Sequence, residues 1–183
     1  SEVYTNELHI SVDRLLQNTG KIAATENMQI NASTLKNSSL GYIEAQKNLT
    51  AAVSGDVEQD KATLKAGEAL SVSAAKLSNT NNSLISAGND ADISIAASIS
   101  NNKSIILAGN DLDVKAADFI NQDTALVNYG QNGTLAVANK FANDGATISA
   151  DGSSALTKIT ATDFSNTNKG AFVSKGSLQL EAS

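Results

Sequence analysis

Four aspartates raise the first chemical question, because Asp90 and Asp92 recur 21 residues later as Asp111 and Asp113. Like charges stacked on adjacent strands repel, and a calcium ion held between carboxylates would relieve that. Lys115 offers a simpler compensation, and the nine-residue, glycine-paired repeat of calcium-binding solenoids is missing. A second group, Asp56, Glu58 and Asp60, has the residue types of a glycosidase carboxylate pair. It lies in a segment without an arginine, Arg14 being the single one in the chain, and there is no Trp to stack on a sugar. His9 is the single histidine, and the absence of Cys removes disulfides, thiolate ligands and thiol nucleophiles. The sequence therefore assigns no catalytic, cofactor-binding or metal-binding residue and predicts a protein that is not an enzyme and has no small-molecule substrate.

Two rows of side chains repeat along the chain. Asn37, Asn79, Asn101, Asn121, Asn143 and Asn166 each follow a Leu, Ile or Phe by two residues. Such a row could recognise a ligand, but Asn tolerates left-handed φ and caps turn backbone with its amide, so turns are the expectation. Phe119, Phe141 and Phe164 share that spacing and are expected to stack in a core rather than to form a carbohydrate platform. His9, in the alternating run Leu8 to Val12, is expected on an outer face. The sequons at Asn48-Leu49-Thr50 and Asn102-Lys103-Ser104 fit a glycosylation pattern, although a chain rich in Asn, Ser and Thr produces such triplets by chance.

The elements that position these residues show in a 21-residue repeat. Ile22, Ile43, Leu64, Ile85, Ile106, Val127 and Ile148 form one thread, and Ala24, Ala45, Ala66, Ala87, Ala108, Tyr129 and Ala150 a second, two residues on. Gly67, Gly88, Gly109 and Gly130 come next, where a turn at positive φ is expected. A strictly alternating segment follows, as in Leu70-x-Val72-x-Ala74 and Leu112-x-Val114-x-Ala116, and then the Leu/Ile/Phe-x-Asn element. The unit from Gln46 to Ala66 lacks the Asn, and the unit from Asp151 onward is about three residues longer. Period-two alternation means strands with one buried face.

Three strands in 21 residues are too few for a propeller blade and too little surface to fold alone. A parallel β-solenoid satisfies both limits, with eight to nine coils stacked at about 4.8 Å into a single rod over residues 1–183. The total absence of Pro fits ladders in which nearly every strand is central, and 4% aromatic content fits a narrow core. A net charge of −6 speaks against nucleic acid as a partner, and no apolar run reaches the roughly 18 residues of a membrane span.

Ile85-Ser86-Ala87-Gly88-Asn89-Asp90 and Ile106-Leu107-Ala108-Gly109-Asn110-Asp111-Leu112-Asp113-Val114, followed by Phe119-Ile120-Asn121, resemble the haemagglutinin repeat of filamentous haemagglutinin-type exoproteins. The resemblance implies a right-handed parallel β-helix and export from a Gram-negative bacterium by two-partner secretion, through an outer-membrane transporter, to the medium or cell surface. It also implies a parent that is an adhesin or a contact-dependent inhibition protein. The Asn-Pro motifs of the family's secretion domain and the Val-Glu-Asn-Asn motif before its toxin domains are both missing. A piece of the repetitive stalk is therefore expected, with Leu178 to Ser183 starting a further coil, and with a monomer as its state. Absence of cysteine suits a chain that crosses the oxidising periplasm unfolded. The predicted role is a stalk that presents distal modules. The alternative is an adhesive module that binds a host glycan or receptor through loops near Gly55 to Lys61 and Thr162 to Gly170.

Overall fold

In the computed structural model, which describes residues 2–182, the regular elements are all β-strands and they wind into nine successive coils. Each coil opens with a short strand of one nine-stranded sheet, here sheet A. Its members are β1 (Glu2–Thr5), β3 (Lys21–Ala24), β5 (Tyr42–Ala45), β8 (Thr63–Ala66), β10 (Leu84–Ala87), β12 (Ile105–Ala108), β15 (Leu126–Tyr129), β18 (Thr147–Ala150) and β21 (Ala171–Ser174). The chain then crosses to a second sheet, B, where a first section is followed by a bend and a second section. Both sections are one continuous strand in β2 (Leu8–Asn18), β4 (Met28–Ser38), β9 (Leu70–Thr80) and β11 (Ala91–Asn102). They are separate in β6 (Leu49–Val53) with β7 (Asp56–Asp60), β13 (Leu112–Ala116) with β14 (Asp118–Gln122), β16 (Gly133–Val137) with β17 (Lys140–Asp144), and β19 (Leu156–Ala161) with β20 (Asp163–Thr167). In coil nine β21 is followed by strand β22 (Ser177–Ala182) of sheet B. The three strands expected per coil thus merge into two in coils one, two, four and five, with the pairing shifting register at the bend.

Pairing is parallel and in the register the repeat dictates, Ile22 on Ile43, Ile43 on Leu64, Leu64 on Ile85 and so on to Ile148. Inward positions of both sheets form one core in which Ile43, Leu64, Ile85, Ile93 and Val114 have no measurable exposure. Burial of each such side chain contributes about 1.5–3 kcal/mol, and the contribution repeats coil after coil.

The glycine column has a cause other than the expected positive φ. A Cβ on Gly88 would lie 1.9 Å from the carbonyl oxygen of Gly67, and one on Gly109 would lie 1.9 Å from that of Gly88. These residues are glycine because backbone stacks on backbone there. Left-handed residues sit at the other corner, between the bent strand and the next coil. Ser39–Leu40, Asn81–Asn82, Asp123–Thr124 and Asn168–Lys169 occur as pairs, alternating with single Lys61, Lys103 and Gly145.

That alternation is matched at the bend. The flanking inward positions step by three from Ala32 to Leu35, by four from Val53 to Val57, by three from Ala74 to Leu77 and by four from Ile95 to Ile99, which makes three-residue and four-residue bends in turn. A residue gained at the bend is lost at the following corner. From coil two, sheet A as far as coil eight and the first section of sheet B as far as coil seven therefore hold a 21-residue step, while the second section steps by 22 from Asn37 to Gln59, 20 to Asn79 and 22 to Asn101. The true repeat is two coils, 42 residues. The longer unit near the end has its extra residues at Asp151 to Ala155, because Gly133 pairs with Thr157 whereas Leu112 pairs with Gly133. The segment from Thr162 to Gly170 is strand β20 and an ordinary two-residue corner, not the enlarged loop expected.

Candidate functional site

Strand alternation that buries Leu35, Leu77, Ile99, Phe119 and Phe141 must also bury the residue two places on. That residue is the Asn of the repeated motif. Asn37, Asn79, Asn101, Asn121 and Asn143 are fully buried at their own strand positions, and none of them has positive φ. The expectation of left-handed turn asparagines is corrected to an interior amide ladder. Asn79 Nδ2 donates to Asn101 Oδ1 (2.8 Å), Asn101 to Asn121 (2.8 Å), Asn121 to Asn143 (2.9 Å) and Asn143 to Asn166 (2.9 Å). The same nitrogens also reach the carbonyls of Ile105, Leu126, Thr147 and Ala171, where strands of sheet A open. Each amide thereby ties three segments together.

The ladder has two members beyond the six asparagines of the row. Asn18 donates to Asn37 Oδ1 (2.9 Å), and Asn37 donates to Gln59 Oε1 (3.0 Å). The signal was present in Leu16-x-Asn18 and Val57-x-Gln59: the same apolar-x-amide spacing, obscured by a short first coil and by one extra methylene. Burying an amide without partners costs about 1–3 kcal/mol, so each rung that satisfies its neighbour removes a penalty of that size.

Asp90 and Asp111 belong to another column, on the exterior corner after sheet A. Asn27 Oδ1 accepts the Asn48 amide N–H (3.2 Å), and Asn48 Oδ1 accepts that of Ala69 (3.1 Å). Asp90 Oδ1 accepts from Asp111 (3.2 Å), Asp111 from Asn132 (2.9 Å) and Asn132 from Leu156 (3.1 Å). These carboxylates are caps for the corner above them. Asp92 pairs with Asp113 across the sheet, and Lys115 Nζ stands 3.8 Å from Asp113. Among the described residues no group of three or more acidic, His or Cys side chains is arranged to hold a metal ion.

Asp56, Glu58 and Asp60 are not gathered by a loop. They are the outward residues of β7, whose inward Val57 stacks between Leu35 and Leu77. Strands bearing lysines flank them, with Lys36 Nζ 3.5 Å from Glu58 and Lys76 in register with Asp56, while Asn81 Nδ2 donates to Asp60 (2.8 Å). They border a shallow groove of about 360 Å³. On sheet A, Lys65 donates to Glu44 at 2.9 Å, which raises the lysine pKa, and burial followed by the Glu44 charge raises that of Tyr42.

Phe119, Phe141 and Phe164 stack inside the rod with ring centroids 5.6 and 5.1 Å apart and planes within 6° of parallel. Phe172 packs obliquely on the last two. His9 is exposed, with Nδ1 3.0 Å from Gln29 Oε1. Of the two sequon asparagines, Asn48 donates to Asn27 (3.0 Å) and Asn102 to Asp123 (3.1 Å).

Polar side chains are thus directed at neighbouring coils, and the geometry defines a structural parallel β-solenoid. The haemagglutinin repeat family matches residues 5–40, 29–92 and 69–183, and the chain belongs to that family. No curated protein and no solved structure matches the chain. Haemagglutinin-repeat solenoids are structural or adhesin-type proteins, typically secreted or surface-exposed. Among the described residues no helix is long and apolar enough to cross a membrane.

Proposed function

We propose that the chain is a rigid spacer within a larger exoprotein, a stalk that sets distal adhesive or toxic modules at a distance from the cell that exports it. The observation that supports this is the continuity of the apolar core from Ala24 to Ala161, with sheet pairing in every described coil. In this reading the chain is exported unfolded through an outer-membrane two-partner-secretion transporter of a Gram-negative bacterium and works as a monomer at the surface.

Reach tests the proposal. The chain has no cysteine, so a pair can be introduced for spin labelling at exposed Thr50 and Thr134, four coils apart in one column of sheet B. Their separation should be about 19 Å, and duplicating two intervening coils should add about 10 Å. A separation that does not grow with coil number would refute a spacer. The insertion from Asp151 to Ala155, with Asp151, Ser153 and Ser154 exposed, favours a second reading in which a corner binds a host glycan or receptor. A glycan array that stays silent supports the spacer. Specific binding lost on shortening this corner supports the second reading.

A further inference from the structure

The amide ladder is interrupted once. Gln59 stands in register between Asn37 and Asn79, and it accepts from Asn37 but passes nothing on. Gln59 Nε2 and Asn79 Oδ1 are both buried and both without a partner. These are a donor and an acceptor on facing rungs, where the next three Asn pairs of the row close at 2.8–2.9 Å.

From this we infer that the boundary between coils three and four is a built-in joint, the place where the rod parts first under heat, denaturant or load. This goes beyond the spacer reading and does not depend on it. Solenoid stability is close to a sum of coil terms and nearest-neighbour interfaces, so the interface with the weakest coupling opens first. The backbone of both coils is regular across this boundary, and Glu44–Lys65 and Asp60–Asn81 link its exterior. Those pairs are solvent-accessible and contribute little to cohesion. The missing contribution is interior, where low dielectric makes an unpaired amide costly.

The geometry also says how the joint is repaired. Coil three has a four-residue bend, like coil five, and in coil five the same rung is Asn101, which pairs on both sides. The extra methylene of Gln59 is therefore the feature that sets this rung apart.

Hydrogen exchange followed by NMR on the intact chain tests this. The amides of Leu49, Thr63 and Gly67 cross the boundary between coils three and four, and those of Leu70, Leu84 and Gly88 cross the next one. The first set should exchange about five- to thirtyfold faster than the second. Gln59→Asn should remove the difference and raise the Tm by about 2–4 °C. Asn101→Gln should add a second fast boundary, between coils five and six, read at Ala91 and Ile105, whose amides cross it. Equal protection of the two sets in the native chain, or a Gln59→Asn variant that leaves the contrast in place, would overturn the joint. The native-chain comparison stands even if the Asn101→Gln variant fails to fold.

Discussion

At the scale of single residues, departures from the repeat come in compensating pairs. Tyr129 occupies a thread that is otherwise Ala, and its ring is fully buried with the hydroxyl donated to Thr157 Oγ1 at 2.6 Å. Room for it comes from Gly133, where a Cβ would fall 2.3 Å from the Tyr129 ring, and where neighbouring coils carry Leu112 and Thr157. Tyr129→Ala should cost about 3–5 kcal/mol through the cavity it leaves, and Gly133→Leu about 1–3 kcal/mol or more through overpacking. The double variant recreates the Ala108–Leu112 pairing of the preceding coil. Denaturant unfolding should therefore show a favourable coupling of about 2–3 kcal/mol, with a residual loss from the unpartnered Thr157 hydroxyl. Strict additivity of the two changes would exclude this compensation. Burial also raises the Tyr129 pKa above 10.0, against the lowering effect of the Thr157 hydrogen bond. The neutral phenol is then the form that folding favours, so its contribution is complete below pH 10 and is lost as pH rises through the raised native value. Stability measured between pH 9 and 12 should fall more steeply in the native chain than in Tyr129→Phe. Parallel curves would show that this phenol does not govern alkaline unfolding.

At the scale of elements, corners matter more than strands. The exterior column of Asn27, Asn48, Asp90, Asp111 and Asn132 caps the coil above at each step, and it is broken at Ala69, which has no side-chain acceptor for the amide of Asp90. Ala69→Asn should supply one and stabilise the chain by about 0.5–1.5 kcal/mol, read as a higher denaturant midpoint at unchanged m-value. A midpoint that is unchanged or lower would show that the corner cannot use the cap. The strands themselves were legible in the sequence, because alternation of Ile, Leu, Val and Ala at a fixed step admits one register. The corners were legible only in part. Their residues satisfy backbone groups of another coil, so the sequence showed that Asn recurs but not that Asn101 is interior while Asp90 is exterior, although both are polar residues of the same coil. Gly88 was recognisable as obligatory. Its cause, a carbonyl from the coil below, is a contact between residues 21 apart that no local propensity encodes.

At the scale of the whole molecule, the unit that can be added or removed is set by the alternation of bends. Four-residue bends have an additional amide, and in coil three both are used: Ser54 donates to Ala32 and Gly55 to Ser33 of the three-residue bend below, while Ala75 above donates back to Gly55. Each bend is therefore complementary to its opposite kind, and the compensating corner keeps sheet A in step. Removing residues 85–105 excises one coil and sets the three-residue bends of coils four and six against each other. Removing residues 85–126 excises two and sets coil four against coil seven, a three against a four, as in the native order. The longer deletion discards more buried surface, yet it should leave the Tm closer to that of the native chain. The m-value should fall roughly in proportion to the surface lost. The shorter deletion should lower the Tm by more, because its corner amides and the bent strands lose their matched partners. A Tm that falls steadily with the number of coils removed, irrespective of parity, would show that a single coil is the unit of this solenoid and that the 42-residue period has no energetic weight.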